Sequence, residues 1–491
     1  MAETVTLDGR SLSIAQVIAV ARRNASVALD PKVLKSVAAS RQSVENAAAR
    51  GQTIYGVNTG FGKLAHVRIP PEQARQLQLN LIRSHASGVG DALDVDAVRA
   101  MMLLRANVLM RGTSGVREIL PQLLVEMLNR GIHPRVPSQG SVGASGDLAP
   151  LSHLALAMIG EGEDGRALSA HGLRPVTLEA KEGLAFVNGT QAQTGLAALL
   201  VHDAWTLWRA AHGAAAMSLE AVRGTPDPFD ARIHDARPHV WQQRSAALLR
   251  ELLADSEIRE SHRENDPRVQ DAYSLRCTPQ VLGAVGEGLA FAERLVTTEL
   301  NAATDNPLVF GDDVLSGGNF HGQPIALALD VIAIALTTLA GLAERRLERV
   351  VNPDLSSGLP AFLAREPGLE SGFMTAQIAA AALVADCRVL ATPASIQSIP
   401  TEGNQEDIVP MGMSAAWKAR RILANAERVV AIELLAGAQG LEYLKPLRPA
   451  QAVARLYGVI RRESPALVAD RPLTQDIERV AAHIRAGTYT S

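Results

Sequence analysis

GSVGASGDLAPLSH, residues 140–153, places three glycines and three serines around the start of an apolar run. Glycine adopts backbone angles that other residues avoid, so the chain can turn tightly between Gly143 and Gly146. Asp147 is a candidate N-cap, and the apolar residues after it have helical spacing. The pattern therefore predicts a helix over 148–158, with an Ala-Ser-Gly triplet at its partly positive N-terminus.

The Ala-Ser-Gly triplet, residues 144–146, allows three interpretations. It can be an ordinary turn or an anion-binding helix N-terminus, but neither GxxxxGK[ST] nor GxGxxG occurs there, which argues against a phosphate loop. The third interpretation is chemical, because a chain that bends back on itself can place the Gly146 nitrogen on the Ala144 carbonyl carbon. Loss of two water molecules would then give a 4-methylidene-imidazol-5-one ring (MIO), an electrophile made from the chain alone.

These fourteen residues resemble the signature of the aromatic amino acid ammonia-lyase and aminomutase family, and the resemblance extends over nearly the whole chain. It implies an MIO group formed from Ala144, Ser145 and Gly146, with no external cofactor. It also implies a mainly α protein, an elongated helical bundle with a smaller N-terminal region, as in the fumarase/aspartase-like ammonia-lyase architecture.

Composition narrows the class of protein further. The 491 residues are 47% hydrophobic and 20% charged, and the net charge of −3 argues against nucleic acid or an anionic membrane as the main partner. Two cysteines cannot form a disulfide framework, and the N-terminus lacks an apolar signal region, so a reduced, cytoplasmic setting is expected. No CxxC, HxxxH or HExxH pattern predicts a metal site.

Hydrophobic periodicity predicts a succession of helices with polar motifs at their ends. A strand is expected at 4–7, a long loop at 55–70 and a polar surface hairpin at 160–180. Helices are expected at 13–23, 31–50, 71–85, 148–158, 192–222, 240–256, 279–303, 324–349, 370–391 and 414–440, with two more between 95 and 130.

This order of elements suggests two regions. Residues 1–200 carry the glycine-rich loop at 55–70 and the triplet, and residues 201–491 form a long helical bundle that is the core of a tetramer. The apolar run 325–342 is interrupted by Asp330, which favours a buried helix, often between subunits, over a membrane span. Together with the family resemblance, this run implies a homotetramer whose active sites are each shared by three subunits.

Two side chains of the first region lie at glycine-rich breaks. Tyr55 begins YGVNTGFG, whose glycines give the backbone the freedom that a lid with a proton-transfer group needs. A surface or packing role is the alternative, and the resemblance implies a catalytic base. His85 follows Ser84 at a helix end. In the family this is the position that selects the substrate, and RSHASG resembles the histidine-specific members and some tyrosine aminomutases.

Further polar motifs supply candidate binding residues. Asn188, in VNGTQ, is a turn residue by local pattern, whereas the resemblance places it beside the electrophile and the substrate amine. Gln270, Tyr273 and Arg276 lie at i, i+3 and i+6, so they share a face only if the segment is helical. Arg276 suits a substrate carboxylate, with a surface salt bridge as the alternative. Phe320, in GGNF, is a core residue by default, and the resemblance places it against the electrophile.

Glu406, in NQED, would be solvated in an ordinary charged loop, but Gln405 followed by Glu406 resembles the histidine-specific members. A carboxylate can bind an imidazole and also exchange a proton. Two departures favour other substrates. Ile408 stands where histidine-specific members usually carry histidine, and Glu402 stands where phenylalanine-type members have a glutamate that faces the amine.

The resemblance thus implies elimination of ammonia from L-histidine to give trans-urocanate, with Tyr55 or Glu406 removing the β-proton. Within the family, the alternative is a tyrosine-type ammonia-lyase or 2,3-aminomutase. An alternative outside the enzymes is a non-catalytic helical oligomer with a degenerate site. The residues expected to act are, in catalysis, Tyr55, Ala144, Ser145, Gly146, Tyr273 and Glu406, and, in substrate binding, His85, Asn188, Gln270, Arg276, Phe320 and Gln405.

Overall fold

The computed structural model describes residues 4–489, and over these residues the chain is mainly α-helical, which confirms the predicted class. The helices are, in chain order, α1 (Ile14–Arg23), α2 (Pro31–Ala49), α3 (Ala74–His85), α4 (Val95–Leu109), α5 (Ile119–Asn129), α6 (Leu148–Met158), α7 (Gly162–Ala170), α8 (Glu182–Val187), α9 (Gln191–Ala221), α10 (Ala231–Asp235), α11 (Val240–Leu252), α12 (Glu257–Glu260), α13 (Tyr273–Arg276), α14 (Thr278–Glu299), α15 (Gln323–Val351), α16 (Met374–Leu390), α17 (Gly412–Glu442), α18 (Gln451–Glu463) and α19 (Thr474–Arg485).

Short strands form three two-stranded pairs among these helices. The first pair is parallel and the other two are antiparallel. The pairs are β1 (Thr4–Leu7) with β2 (Ser26–Leu29), β3 (Val89–Ala92) with β4 (Pro137–Gln139), and β5 (Leu308–Phe310) with β6 (Asp313–Leu315).

The chain divides into two compact units, and neither is continuous in sequence. Unit 1 comprises Met1–His202, Ala292–Asp330 and Pro393–Trp417, and unit 2 comprises Asp203–Phe291, Val331–Thr392 and Lys418–Ser491. The division drawn from the sequence at residue 200 differs from this, because it leaves the two returning segments of unit 1 in the second region. These two later segments belong to unit 1 because their polar motifs hydrogen-bond to its first segment, as described below.

Several local predictions agree with the structure because adjacent residues determine them. β1 occupies the predicted strand, and α6 has the predicted bounds. At the start of α1 the capping box is present, with Ser13 accepting from the backbone of Gln16 and Gln16 accepting from the backbone of Ser13. These signals lie within one helical turn, where tertiary contacts have little influence.

Two other local predictions are wrong or incomplete. Residues 160–180 contain the helix α7 rather than a hairpin, because Leu168 is buried and Gly165 packs closely against the backbone of Gly160. In addition, α18 and α19 were not among the expected helices. In α18 the buried residues Val453, Leu456 and Ile460 follow one another at helical spacing, a pattern present in the sequence.

Within unit 1, α4 is enclosed by the rest of the fold. Every residue from 97 to 109 is buried, including Arg99, Arg105 and Asn107. A helix that is enclosed on all sides must satisfy its polar side chains internally. Asn107 does so by accepting from the backbone of Gly9 at 3.0 Å and donating to that of Leu300 at 2.9 Å.

The apolar run predicted as a buried helix forms part of α15. By length and composition α15 could cross a membrane, with a mean hydropathy of 2.2 over its best window, but 67% of that window is buried inside the protein. Such a helix is weak evidence for a membrane span, because core helices pass the same test. Within unit 2, Arg346 of α15 forms a fully buried ion pair with Glu433 at 2.6 Å, which is further evidence of a core helix.

Candidate active site

The Ala-Ser-Gly triplet lies in a tight reversal of the chain. Gly143 and Gly146 have positive φ angles of 78° and 77°, in a region that residues with side chains rarely adopt. Bridge pairing joins Gly146 to Gly143 and also to Ala144. The backbone of the triplet is therefore bent back toward itself, as the glycine pattern predicted.

Gly189, which lies outside the triplet, contacts this reversal through its backbone. Gly189 accepts a hydrogen bond from the backbone of Asp147 at 2.7 Å and pairs with Gly146. A Cβ atom on Gly146 would lie 2.3 Å from the Gly189 oxygen and 2.5 Å from its nitrogen. Only glycine allows this close approach of the two backbones.

Asn188 lies at the C-terminal end of α8 and is almost completely buried. Its amide nitrogen donates to the carbonyl oxygen of Ser145 at 2.7 Å. Its Oδ1 has no hydrogen-bond partner although it is buried. Because a buried acceptor without a partner is costly, this oxygen is available to a donor on a bound molecule.

Asp147 occupies the N-cap position of α6, but its side chain makes no capping hydrogen bond. Instead, the fully buried carboxylate accepts from the backbone of Gln193 at 2.8 Å and from the hydroxyl of Ser141 at 3.1 Å. Burial raises the pKa of Asp147 to about 6. Long-range packing has therefore replaced the local cap that the sequence predicted.

Two returning segments of unit 1 form the surroundings of the triplet. The backbone of Gly322 donates to Gly143 at 3.0 Å, and that of Met411 donates to Val142 at 2.9 Å. Phe320, two residues before Gly322 in the first of these segments, is half-buried. These contacts bring the GGNF and NQED motifs to the triplet, which motif spacing alone could not establish.

The carboxylate of Glu406 contacts the triplet directly. The hydroxyl of Ser145 donates to Glu406 Oε1 at 2.5 Å, and the hydroxyl of Thr401 donates to Oε2 at 2.6 Å. The backbone of Thr401 also donates to the Glu406 carbonyl at 2.9 Å. The adjacent Gln405 is exposed. Glu406 thus has a fixed orientation in which it can exchange a proton with the group at Ser145.

Tyr55 is half-buried in the predicted loop, residues 55–70, which contains no α-helix. Its hydroxyl oxygen accepts from the backbone of Gly62 at 2.9 Å. Burial raises the pKa of Tyr55, and the negative charges of Glu402 and Glu406 raise it further, whereas the bond from Gly62 opposes them. The phenol therefore keeps its proton at neutral pH in the free protein.

His85 is the last residue of α3. Its Nδ1 lies 2.9 Å from the carbonyl of Leu81 and 2.9 Å from the hydroxyl of Ser84. In the tautomer that carries the proton on Nδ1, this nitrogen donates to the Leu81 carbonyl, which can only accept. Burial lowers the pKa of His85, although Leu81 and Glu406 act in the opposite direction. A neutral imidazole held in this way leaves Nε2 as an acceptor for a ligand.

A cavity of about 550 Å³ within unit 1 is lined by His85 and by part of the 55–70 loop, but not by Tyr55, the triplet, Asn188 or Glu406. It is large enough for an amino acid and has a mainly apolar wall with a few polar groups, as small-molecule sites usually do. Glu402 accepts from the backbone of Lys63 at 3.3 Å and lies where a side chain on Gly62 would be, so it contacts the 55–70 loop. The lining residues are Gly60, Phe61, Lys63, Leu64, Val67, Ile69, Leu77, Asn80, Leu81, Ser84, His85, Glu402 and Gly403.

The remaining predicted binding residues belong to unit 2. Tyr273 and Arg276 lie in the short helix α13, whereas Gln270 precedes it and is exposed, so the three do not share one helical face. Tyr273 is 70% exposed, and the guanidinium of Arg276 lies over its ring at 4.5 Å. Arg276 Nε is buried without a partner, so its donor capacity is not fully used within the chain.

Sequence patterns did not reveal two polar residues that support the triplet. The amide of Gln193 lies where side chains on Gly322 and Gly412 would be, and Arg105 donates to the carbonyl of Asn188. Gly322 and Gly412 can be read from the sequence as glycines, but no sequence pattern predicts that they contact Gln193. Among residues 4–489, no group of three or more His, Cys, Asp and Glu side chains is arranged to hold a metal ion.

Comparison with known proteins agrees with this geometry. A family model described as aromatic amino acid lyase matches residues 12–462. The chain is 50% identical to a histidine ammonia-lyase of Koribacter versatilis (strain Ellin345), over 98% of each chain. It resembles the structures of tyrosine aminomutase from Streptomyces globisporus (TM-score 0.95, 41% identity, 99% of this chain and 97% of that one) and histidine ammonia-lyase from Trypanosoma cruzi (TM-score 0.92, 43%, 99% and 94%). The chain therefore belongs to the aromatic amino acid lyase family.

Proposed function

We propose that this protein is a histidine ammonia-lyase, which eliminates ammonia from L-histidine to give trans-urocanate. The observation that carries the proposal is the contact between Glu406 and the triplet, because it joins an acid–base group to the Ser145 hydroxyl at 2.5 Å. The same carboxylate acts on the pKa of both Tyr55 and His85. The site thus combines proton-transfer groups with a neutral imidazole that can bind a polar ring.

The bent backbone of the triplet supports its conversion to MIO. Attack of the Gly146 nitrogen on the Ala144 carbonyl carbon closes the ring, and the Ala144 oxygen leaves as the first water. The hydroxyl of Ser145, with the proton on its Cα, leaves as the second water. The resulting group supplies an electron-poor exocyclic carbon that withdraws electrons from the substrate amine or ring. The bridge pairing of Gly146 with Gly143 and Ala144 shows that the backbone is already bent back on itself, and less reorganisation is then needed for ring closure.

The other residues have roles in binding and proton transfer. Tyr55 or Glu406 removes the β-proton, and the free Oδ1 of Asn188 accepts from the substrate amine. The family resemblance assigns Arg276 to the substrate carboxylate, which its planar guanidinium can bind through two parallel hydrogen bonds. In a site shared between subunits, Arg276 need not come from the same chain as Tyr55. The remaining positions, Gln270, Tyr273, Phe320 and Gln405, complete the surroundings of the substrate.

Histidine is favoured by the imidazole of His85, whose free Nε2 can accept from a protonated ring nitrogen of the substrate. An apolar ring would leave this acceptor unpaired at a cost. The second candidate is a tyrosine 2,3-aminomutase or ammonia-lyase. The similarity to tyrosine aminomutase at a TM-score of 0.95 favours it, as does Ile408, which stands where histidine-specific members usually carry histidine. Glu402 instead matches phenylalanine-type members.

We propose a homotetramer with shared active sites in a cytoplasmic setting. Apolar side chains remain exposed in both units, with Val389 76% exposed in unit 2 and Ile396 71% exposed in unit 1. Residues of this kind need cover from another molecule if they are grouped on one surface. Cys277 and Cys387 are both free thiols, which suits a reducing compartment.

Formation of the electrophile can be measured by mass. The intact protein should weigh less than its sequence by two waters, and the deficit should map to a peptide that contains residues 144–146. Ser145→Ala should remove the deficit and nearly all turnover, because the hydroxyl that leaves is absent. Circular dichroism should show that the variant keeps its helical content. A wild-type peptide of full mass would contradict the electrophile.

Tyr55→Phe tests the proton-transfer role. The variant keeps the ring that packs edge-to-face on Phe61 and loses only the hydroxyl. We expect kcat to fall about 10²- to 10⁴-fold, as for loss of a general acid–base group, with an unchanged mass deficit and melting temperature. Loss of folding without a specific loss of rate would instead indicate a packing role.

Substrate choice is tested by assaying histidine, tyrosine and phenylalanine separately, with products identified by mass. Urocanate should form far faster than coumarate or cinnamate. Glu406→Gln should lower histidine turnover about 10²-fold or more, because it keeps the shape and removes the proton acceptor. His85→Leu should shift kcat/KM toward phenylalanine, since the unpaired polar group is gone. A wild type that prefers tyrosine or yields a β-amino acid would overturn the histidine assignment.

Assembly is tested by sedimentation velocity. The wild type should sediment as a tetramer, and Ser145→Ala should do the same, because its surface is unchanged. Activity measured across a dilution series should fall when the tetramer dissociates if the sites are shared. A fully active monomer would contradict the proposed assembly.

A further inference from the structure

Arg105 of α4 is a fully buried arginine that forms no ion pair among the described residues. Its Nη1 donates to the carbonyl of Asn188 at 3.2 Å and to Oε1 of Gln191 at 2.6 Å, and its Nη2 donates to the carbonyl of Ala185. All three acceptors are neutral oxygens. Two of them are main-chain carbonyls at the C-terminal end of α8, where the helix dipole is negative.

The contact between Arg105 and this turn is tight. A Cβ atom on Gly189 would lie 2.3 Å from Nη1 of Arg105 and 2.4 Å from Oε1 of Gln191. The amide of Gln191 is fixed in turn by donating to the hydroxyl of Thr304 at 2.7 Å. The guanidinium therefore determines where the backbone of Asn188 and Gly189 lies.

The same turn touches the triplet at two points. The side chain of Asn188 donates to the carbonyl oxygen of Ser145, and the carbonyl of Gly189 accepts from the backbone of Asp147, both at 2.7 Å. Arg105 is thus one residue removed from the triplet. Any displacement of the turn would lengthen both hydrogen bonds.

The stability of the folded protein does not by itself explain why an arginine occupies position 105. A buried charge without an ionic partner is costly, and an apolar residue of similar size often packs as well or better. The carboxylate of Asp305, which lies near enough to raise the pKa of Arg105, already pairs with the buried Lys181 at 2.9 Å. Burial lowers the pKa of Arg105 to about 10, so the side chain keeps its charge at neutral pH.

In the proposed chemistry, the carbonyl oxygen of Ser145 takes up electron density from the substrate. When the triplet cyclises, this carbonyl stays in the ring and is conjugated with the carbon derived from Ser145 Cβ. Electron density drawn in at that carbon collects on the Ser145 oxygen. A donor fixed at this oxygen, with a positive charge behind it, stabilises the charge that develops there.

We propose that Arg105 is a positioning residue that holds the Asn188 amide on the Ser145 carbonyl and whose buried charge makes the triplet more electrophilic. This inference rests on the proposed function. It assigns to the chain a support for the electrophile that lies on α4, 40 positions before Ser145 in the sequence.

The test compares Arg105→Met with Arg99→Met. Arg99 is a matched control, because it is also a nearly buried arginine of α4 that donates to backbone carbonyls, those of Val20 and Leu128. Four properties are measured: the two-water mass deficit, the near-ultraviolet absorption of the conjugated ring against the matching Ser145→Ala background, kcat with KM, and the melting temperature.

Arg105→Met should lower kcat on the order of 30-fold, less than the loss of an oxyanion donor itself would. It should also shift the ring absorption or leave part of the protein without the mass deficit, while KM changes little. Arg99→Met should lower the melting temperature similarly but keep the deficit, the absorption and kcat. Arg105→Lys, which retains the charge, should recover most of the lost rate.

The inference is overturned if Arg105→Met keeps the wild-type deficit, absorption and kcat, or if Arg99→Met changes them equally. If Arg105→Met does not accumulate as soluble protein, Gln191→Leu is measured instead, because it removes one acceptor of Arg105 Nη1. Wild-type absorption and kcat in Gln191→Leu would then overturn the inference. A wild type without the mass deficit would overturn the proposed function and this inference together. If the wild type shows the mass deficit and Arg105→Met has the same deficit, absorption and kcat as the wild type, only this inference is overturned.

Discussion

The close approach of two glycine backbones is the constraint on which the site depends. A side chain on Gly146 would overlap the backbone of Gly189, so the two segments can approach this closely only because residue 146 is glycine. Two hydrogen bonds, from Asp147 to Gly189 and from Asn188 to Ser145, accompany this contact. Because α6 begins and α8 ends at this point, the helices of unit 1 hold the triplet in its bent form. A flexible loop could not keep the backbone so close to itself.

Charged side chains from several segments of unit 1 lie near the triplet. The carboxylates of Glu402 and Glu406 both raise the pKa of Tyr55, whereas the guanidinium of Arg105 lies at the end of α8 beside Asn188. The buried carboxylate of Asp147, next in sequence to the triplet, accepts from the backbone of Gln193. Charges of both signs therefore lie near Gly146 and Asn188, and charges fixed before a reaction need little reorganisation during it.

Substrate choice depends on few side chains within a common fold. A tyrosine aminomutase and a histidine ammonia-lyase resemble this chain at TM-scores of 0.95 and 0.92, so the fold does not distinguish between their reactions. We propose that the distinction lies in groups that face the substrate ring, among them His85 and Glu406. Their hydrogen bonds to Leu81 and Thr401 fix the direction in which each can act.

The amino-acid sequence alone determined the features that depend on neighbouring residues: the family signature, the capping box at Ser13, the bounds of α6 and the glycine reversal at the triplet. The tertiary structure decided the rest. Asp147 turned away from its cap toward Gln193, and Glu406 reached Ser145 across 261 positions of chain. Local patterns encode angles and spacings within a few turns, whereas such contacts depend on how distant segments pack. For that reason the sequence indicated the family, and only the fold could show which distant residues meet at the triplet.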